Sequence, residues 1–206
     1  LRASHHSDWV IKTDDIINGF NAMNRQSMLD AATKRWPEAA RLVNLFYSAP
    51  TPALYCFTNN EGDTFVHVMY SEEGSRMGCV LGSLLFDITI DEKLFKPLEA
   101  RFPSWPTRAL TDDKATFMPV PVLDGTDTKD WLRLFQELFQ YNKAFAEIGA
   151  QHGFVRHPDK EAILVPSDAP DLHPELNLKI VRQGVVVGGS PTGSPEFVFA
   201  HSQKKV

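Results

Sequence analysis

Cysteine is scarce in this chain: Cys56 and Cys79 are the two thiols among 206 residues. Neither lies in a Cys-x-x-Cys pair or a Cys/His cluster, which excludes a disulfide framework and a structural zinc site. Two reduced thiols in or near a core are expected. Long apolar runs are missing as well. Stretches such as residues 88–90 and 185–187 fall far short of the roughly 20 residues that cross a bilayer, so no membrane span is expected. Basic charge is in deficit, with 21 Lys and Arg against 26 Asp and Glu and a formal net charge of -5. Proteins that grip a polyanion do so through Lys and Arg, so a nucleic-acid role would need a local basic face or parts outside these residues. Residues 1–8 hold no apolar core behind a basic start, which speaks against a secretory signal and for an intracellular protein, in nucleus or cytoplasm, present here as a fragment. Internal repeats and low-complexity tracts are absent.

What is present suits one globular unit. At 43% hydrophobic over 206 residues the chain can bury one sizeable core, and a single domain over 1–206 is expected. Residues 8–15 alternate and end on Asp14 and Asp15, as a short strand that carries carboxylates to its tip would. Met28, Leu29, Ala32 and Trp36 recur at helical spacing, and Pro37 stands where a second helix can start and run through Leu42, Val43 and Phe46. Two β-rich runs, 54–58 and 64–70, flank Asn59 to Asp63 and predict a hairpin. A helix is expected over 83–98, weakened by the branched Ile88, Thr89 and Ile90. Strands over 107–111 and 115–120 would meet in a tight turn with Asp112 and Asp113 at its apex. The clearest helix spans 128–151, with Trp131, Phe135, Leu138, Phe145 and Ile148 on one stripe. Residues 161–165 and 181–187 are strand-like, and 188–193 read as loop. This order predicts an α+β fold, a split βαβ arrangement with helices on one face of an antiparallel sheet.

Asp15, Asp112 and Asp113 each fall at a predicted strand end or turn. Were the two strand ends adjacent, three hard oxygen donors would converge where Mg²⁺ is preferred, and a two-metal phosphoryl-transfer site would follow. The bland alternative is weighty, because paired aspartates are common in exposed turns.

Four ordered segments add a resemblance to the reverse transcriptases of non-LTR retrotransposons, over about residues 10–197. Lys12-Thr13-Asp14-Asp15-Ile16-Ile17-Asn18-Gly19-Phe20-Asn21, with Arg25 beyond, resembles their first palm motif, Lys-x-Asp followed by Asn-Ala-Phe-Asn. In that register Asp15 is the metal ligand, Asp14 a neighbour, and Phe20 the ring that crowds a 2′-hydroxyl. Residues 73–86, Glu-Gly-Ser-Arg-Met-Gly-Cys-Val-Leu-Gly-Ser-Leu-Leu-Phe, resemble the nucleotide-contacting second motif, which would place Met77 and Gly78 against the nucleotide. Met77 stands for a Gln, and Cys79-Val80 for Asp-Pro; a thioether cannot replace the amide's hydrogen bonds. Leu110-Thr111-Asp112-Asp113 resembles the third motif without its aromatic residue, and Lys114 after it is expected to be solvated. A long helix, a glycine, His157-Pro158-Asp159-Lys160 and a strand resemble the fourth, with Lys160 near the pyrophosphate. The segment 185–197 is similar to the Leu-Gly-x-Pro-x-Gly stretch that follows the palm in some retroelement polymerases.

The resemblance implies a polymerase palm of ferredoxin-like form and an RNA-directed DNA polymerase. It also implies two Mg²⁺ ions held by Asp15, Asp112 and Asp113, with an RNA template, a DNA primer and deoxynucleotides as partners, and fingers and thumb supplied from a longer polyprotein. The second reading is an inactive or domesticated remnant that keeps the palm as a scaffold. The third and weakest is another palm-like nucleotidyl transferase or cyclase.

Overall fold

The computed structural model describes residues 8–76, 78–110, 113–171 and 179–203. They form a mixed α/β unit around a five-stranded sheet. Its strands are β1 (Trp9–Asp14), β4 (Thr107–Leu110), β5 (Asp113–Pro119), β6 (Ala162–Leu164) and β7 (Lys179–Val181), in the order β4-β5-β1-β6-β7. β1 sits at the centre because its alternation buries Val10, Lys12 and Asp14 on one face. It pairs antiparallel with β5 on one side and β6 on the other. The sheet is not wholly antiparallel as expected: β6 and β7 run parallel, in keeping with the dozen or more residues that separate them.

Helices supply the rest of the core. The first are α1 (Gly19–Ala22), α2 (Arg25–Arg35) and α3 (Pro37–Tyr47). The Asn24 side chain accepts from the Ser27 amide at 2.9 Å to cap α2, and Pro37 opens α3 where its missing N–H costs nothing. α4 (Gly82–Ile90) passes through a π-helical turn, Asp91–Phe95, into α5 (Lys96–Arg101). Two local features account for the wider turn: Thr89 Oγ1 donates back to the Leu85 carbonyl, and Pro97 can give no amide to the ladder.

α6 (Trp131–Ala150) starts at Asp130, whose side chain accepts from the Arg133 amide at 3.0 Å. Its buried stripe is Leu134, Leu138, Tyr141, Ala144 and Phe145, turned from the expected one. Trp131, Phe135 and Ile148 are only half-buried at the margin. Tyr141 draws the stripe inward because its hydroxyl reaches Thr116 Oγ1 on the sheet at 3.0 Å.

Two β-hairpins are not hydrogen-bonded into the sheet. β2 (Thr51–Thr58) and β3 (Thr64–Ser71) pair only with each other, closed by Asn59, whose side chain accepts from the Glu61 and Asp63 amides at 2.9 Å. Leu54, Tyr55, Phe57, Phe65, Val66, Val68, Met69 and Tyr70 are all exposed on it, and so is Cys56, contrary to the expected core thiol. Near the end, the expected strand over 181–187 breaks at Arg182 and Gln183, and β8 (Gly184–Val187) turns back into β9 (Ser190–Gly193). Four of the six residues of the stretch read as loop, Ser190–Gly193, are therefore strand. Gly188 and Gly189, at φ 54° and 73°, supply the two positive-φ residues that a tight hairpin turn requires. α7 (Pro195–Gln203) follows.

Candidate functional site

The strand pairing brings two of the predicted carboxylates to one place. In the β1–β5 register Asp14 faces Lys114 and Thr13 faces Ala115, so one further step sets Asp15 across from Asp113. Both line an open cleft of about 200 Å³ at that edge of the sheet, together with Thr13, Asp14, Lys114, Lys160, Val186 and Val187. Asp112 and Met77 lie outside the described residues.

Lys160 arrives by a separate route. The stretch after α6 pairs with the stretch after β1: the His157 amide donates to the Asp15 carbonyl at 2.8 Å, Ile17 to Val155 at 2.8 Å, and Asn24 to His152 at 2.8 Å. Gly153 makes the approach possible, since at φ 80° a Cβ there would run into the Ala22 carbonyl. A 3₁₀ turn, Pro158–Lys160, then swings the lysine over the cleft, where its ammonium pairs with the half-buried Asp15 carboxylate.

Beneath the cleft, between sheet and α6, lies a cluster of charge. Asp14 is ion-paired with Lys12 through one carboxylate oxygen and accepts a hydrogen bond from Lys114 at 3.1 Å through the other, and Arg156 stands 4.0 Å away. Glu161 receives Arg156 at 3.1 Å and has Lys12 at 3.8 Å. Lys114 is buried, not solvated as expected. Alternation along β5 puts it on the face of Thr116 and Met118, where its ammonium sits 4.2 Å from the Phe145 ring centroid and 5.1 Å from that of Tyr141. Burial pushes the Lys12 ammonium well below its ordinary pKa, with Glu161 opposing, and burial lowers that of Lys114 too.

The second-motif residues form a loop fastened to the first. Ser75 and Gly74 amides donate at 2.8 Å to the Phe20 and Met23 carbonyls. Gly74, at φ 62°, leaves no room for a Cβ against the Phe20 carbonyl. Phe20 itself is not part of the cleft lining; its ring stacks on Phe86 at 4.5 Å. Gly78 is exposed at φ 81°.

Sequence reasoning passed over the residue that fastens this loop. Arg25 is buried and donates to the carbonyls of Ser71 at 2.8 Å, Glu73 at 3.0 Å and Gly74 at 3.3 Å, and to Ser71 Oγ at 3.0 Å. Arg25 and Arg76 lie over the Tyr47 ring at 5.5 and 5.0 Å. An arginine in the first turn of a helix, where the dipole disfavours a cation, was the available signal.

As to a metal, the donor types suit a hard divalent cation: two carboxylates on neighbouring strands with an open approach. Among the described residues no group of three or more His, Cys, Asp or Glu is placed to hold one. No helix among them is long and apolar enough to cross a membrane.

No protein-family model matches the chain, and no curated protein does. Solved structures do match it in fold. A telomerase from Candida albicans, in complex with a TWJ fragment of telomeric RNA, superposes with a TM-score of 0.60 at 9% identity, over 92% of this chain and 31% of that one. An apo telomerase from Candida tropicalis, truncated from its C-terminal domain, gives 0.58 at 11% identity over 92% and 34%. A further apo structure from Candida tropicalis gives 0.56 at 12% over 90% and 31%. The chain thus has a reverse-transcriptase-like fold and spans about a third of the length of those telomerase chains.

Proposed function

We propose that this chain is the palm core of a reverse transcriptase of the non-LTR retroelement type, built for RNA-directed DNA synthesis when fingers and thumb complete it. The observation that carries the reading is the meeting of Asp15 and Asp113 across β1 and β5, with Lys160 above them, in a cleft of a telomerase-like fold. The strand order β4-β5-β1-β6 supports it, being that of a split βαβ unit.

Asp15 and Asp113, joined by Asp112, would hold the divalent ions. When bound, such ions supply acidity to an attacking 3′-hydroxyl and neutralise charge on the leaving phosphates. The protein's own part is placement. Strand pairing fixes the two carboxylates, and backbone hydrogen bonds between 155–157 and 15–17 aim Lys160, whose ammonium would stabilise an anionic leaving group and deliver a proton to it. Phe20, Met77 and Gly78 would flank the deoxynucleotide. Template RNA and primer DNA would need contacts from outside the chain, since the net charge is -5.

A scaffold reading without catalysis has its own support in the altered second motif, where Val80 is almost fully exposed and Cys79 replaces an acid. Primer extension separates the two. The isolated chain should extend a labelled DNA primer on RNA with Mg²⁺ barely above background, because nothing holds template and primer in line. Fused to fingers and thumb of a related polymerase it should extend, and Asp113→Asn should abolish extension. A folded fusion that stays silent would leave only the scaffold, whereas synthesis that survives Asp113→Asn would overturn the assignment of Asp113 as a metal ligand.

A further inference from the structure

Two aspartates sit side by side at the end of β1, yet they meet opposite surroundings. Asp15 is half-buried in the cleft under an exposed lysine, whereas Asp14 is buried, with one carboxylate oxygen taken by Lys12 and the other by Lys114 at 3.1 Å. Lys114 is itself held by three aromatic rings, those of Phe145, Tyr141 and Phe95, at 4.2, 5.1 and 5.6 Å. Those rings sit on α6 and on the π-helical turn, so the ammonium cannot leave Asp14 without unpacking the sheet from its helices.

We propose that Lys12 and Lys114 are positioning residues that keep the Asp14 carboxylate engaged at the wall of the cleft, so that a divalent cation there meets Asp15 and Asp113 and not Asp14. The inference rests on the reading of the cleft as a cation site. Two consequences follow from Coulomb's law. Asp14, although it borders the cleft, adds no ligand, and the lysines set a positive charge behind the site that limits how tightly a cation is held. Lys114 is the more telling member because it directly follows the third-motif pair Asp112-Asp113.

Mn²⁺ binding to the full chain, followed by the electron paramagnetic resonance of free Mn²⁺, tests this without any assay of catalysis. Lys114→Met keeps the volume against the aromatic rings, removes the charge and frees one Asp14 oxygen. It should bind Mn²⁺ roughly tenfold more tightly than the parent, and adding Asp14→Asn should take most of that gain away. Asp14→Asn alone should weaken Mn²⁺ binding far less than Asp15→Asn does, and this arm decides if Lys114→Met does not fold by circular dichroism. Lys114→Met binding no tighter, or Asp14→Asn weakening Mn²⁺ as much as Asp15→Asn does, would overturn the proposal while leaving the cleft a cation site. Mn²⁺ binding indifferent to both Asp15→Asn and Asp113→Asn would overturn the cation reading, and the proposal with it.

Discussion

The centre of the sheet and the β2–β3 hairpin invert the usual distribution of residues in opposite senses. The centre buries charge: Lys12, Asp14, Lys114 and Glu161 are almost inaccessible to water. The hairpin exposes apolar surface on both faces, from Leu54 to Tyr70. Charge is tolerated inside because each cation there has a carboxylate or aromatic face beside it. Apolar surface outside has no such compensation among the described residues, and a two-stranded hairpin is marginal by itself in water. Burial thus says where function is built only when read together with what satisfies each group.

The largest effects should come from the centre. Asp14→Ala leaves two buried ammonium groups facing each other and should cost about 3–5 kcal/mol in urea unfolding. Phe145→Ala removes a fully buried ring and one wall of the Lys114 site, and should also cost about 3–5 kcal/mol. Phe135→Ala, on a half-buried ring, should cost clearly less, and equal losses would mean that α6 is rotated from the face described.

An intermediate effect is a pH dependence. Burial alone would raise the Glu92 carboxyl, but hydrogen bonds from Lys34, Lys96 and Arg35 bring it down to about 2 from an ordinary 4.5. A carboxyl depressed on folding stabilises the protein above its unfolded pKa, and that contribution fades as pH falls from about 4.5 towards 2. With three solvent-screened partners the loss should be about 1–2 kcal/mol. Melts at pH 6 and pH 3 measure it, and Glu92→Gln should remove that part of the difference.

The smallest effect should be on the hairpin. Phe57→Ser exchanges a ring stacked on Phe65 at 5.3 Å but otherwise open to water, and should shift stability within about 0.5 kcal/mol. A loss as large as that of Phe145→Ala would show the hairpin to be covered in solution and would erase the contrast.

Local pattern made much of this legible. Alternation found β1, turn-forming residues found the β2–β3 hairpin, and helical spacing found α2, α3 and α6. Pairs set by long-range packing were not legible. Lys114 after an Asp pair looks like a surface lysine until β5 is laid beside β1, because only the register supplies its partner, 100 residues away in sequence. Arg25 is likewise illegible from pattern alone, its acceptors being backbone carbonyls that no residue type announces.

By itself, then, the sequence determined the kinds of element, their order and the residue types able to bind a cation, since these depend on side-chain periodicity and donor chemistry along a short stretch of chain. Only the tertiary structure decided that Lys160 pairs with Asp15 and that Lys114 is buried with Asp14. Adjacent strand residues point to opposite sides, and which side becomes the interior is fixed by the helices that cover it.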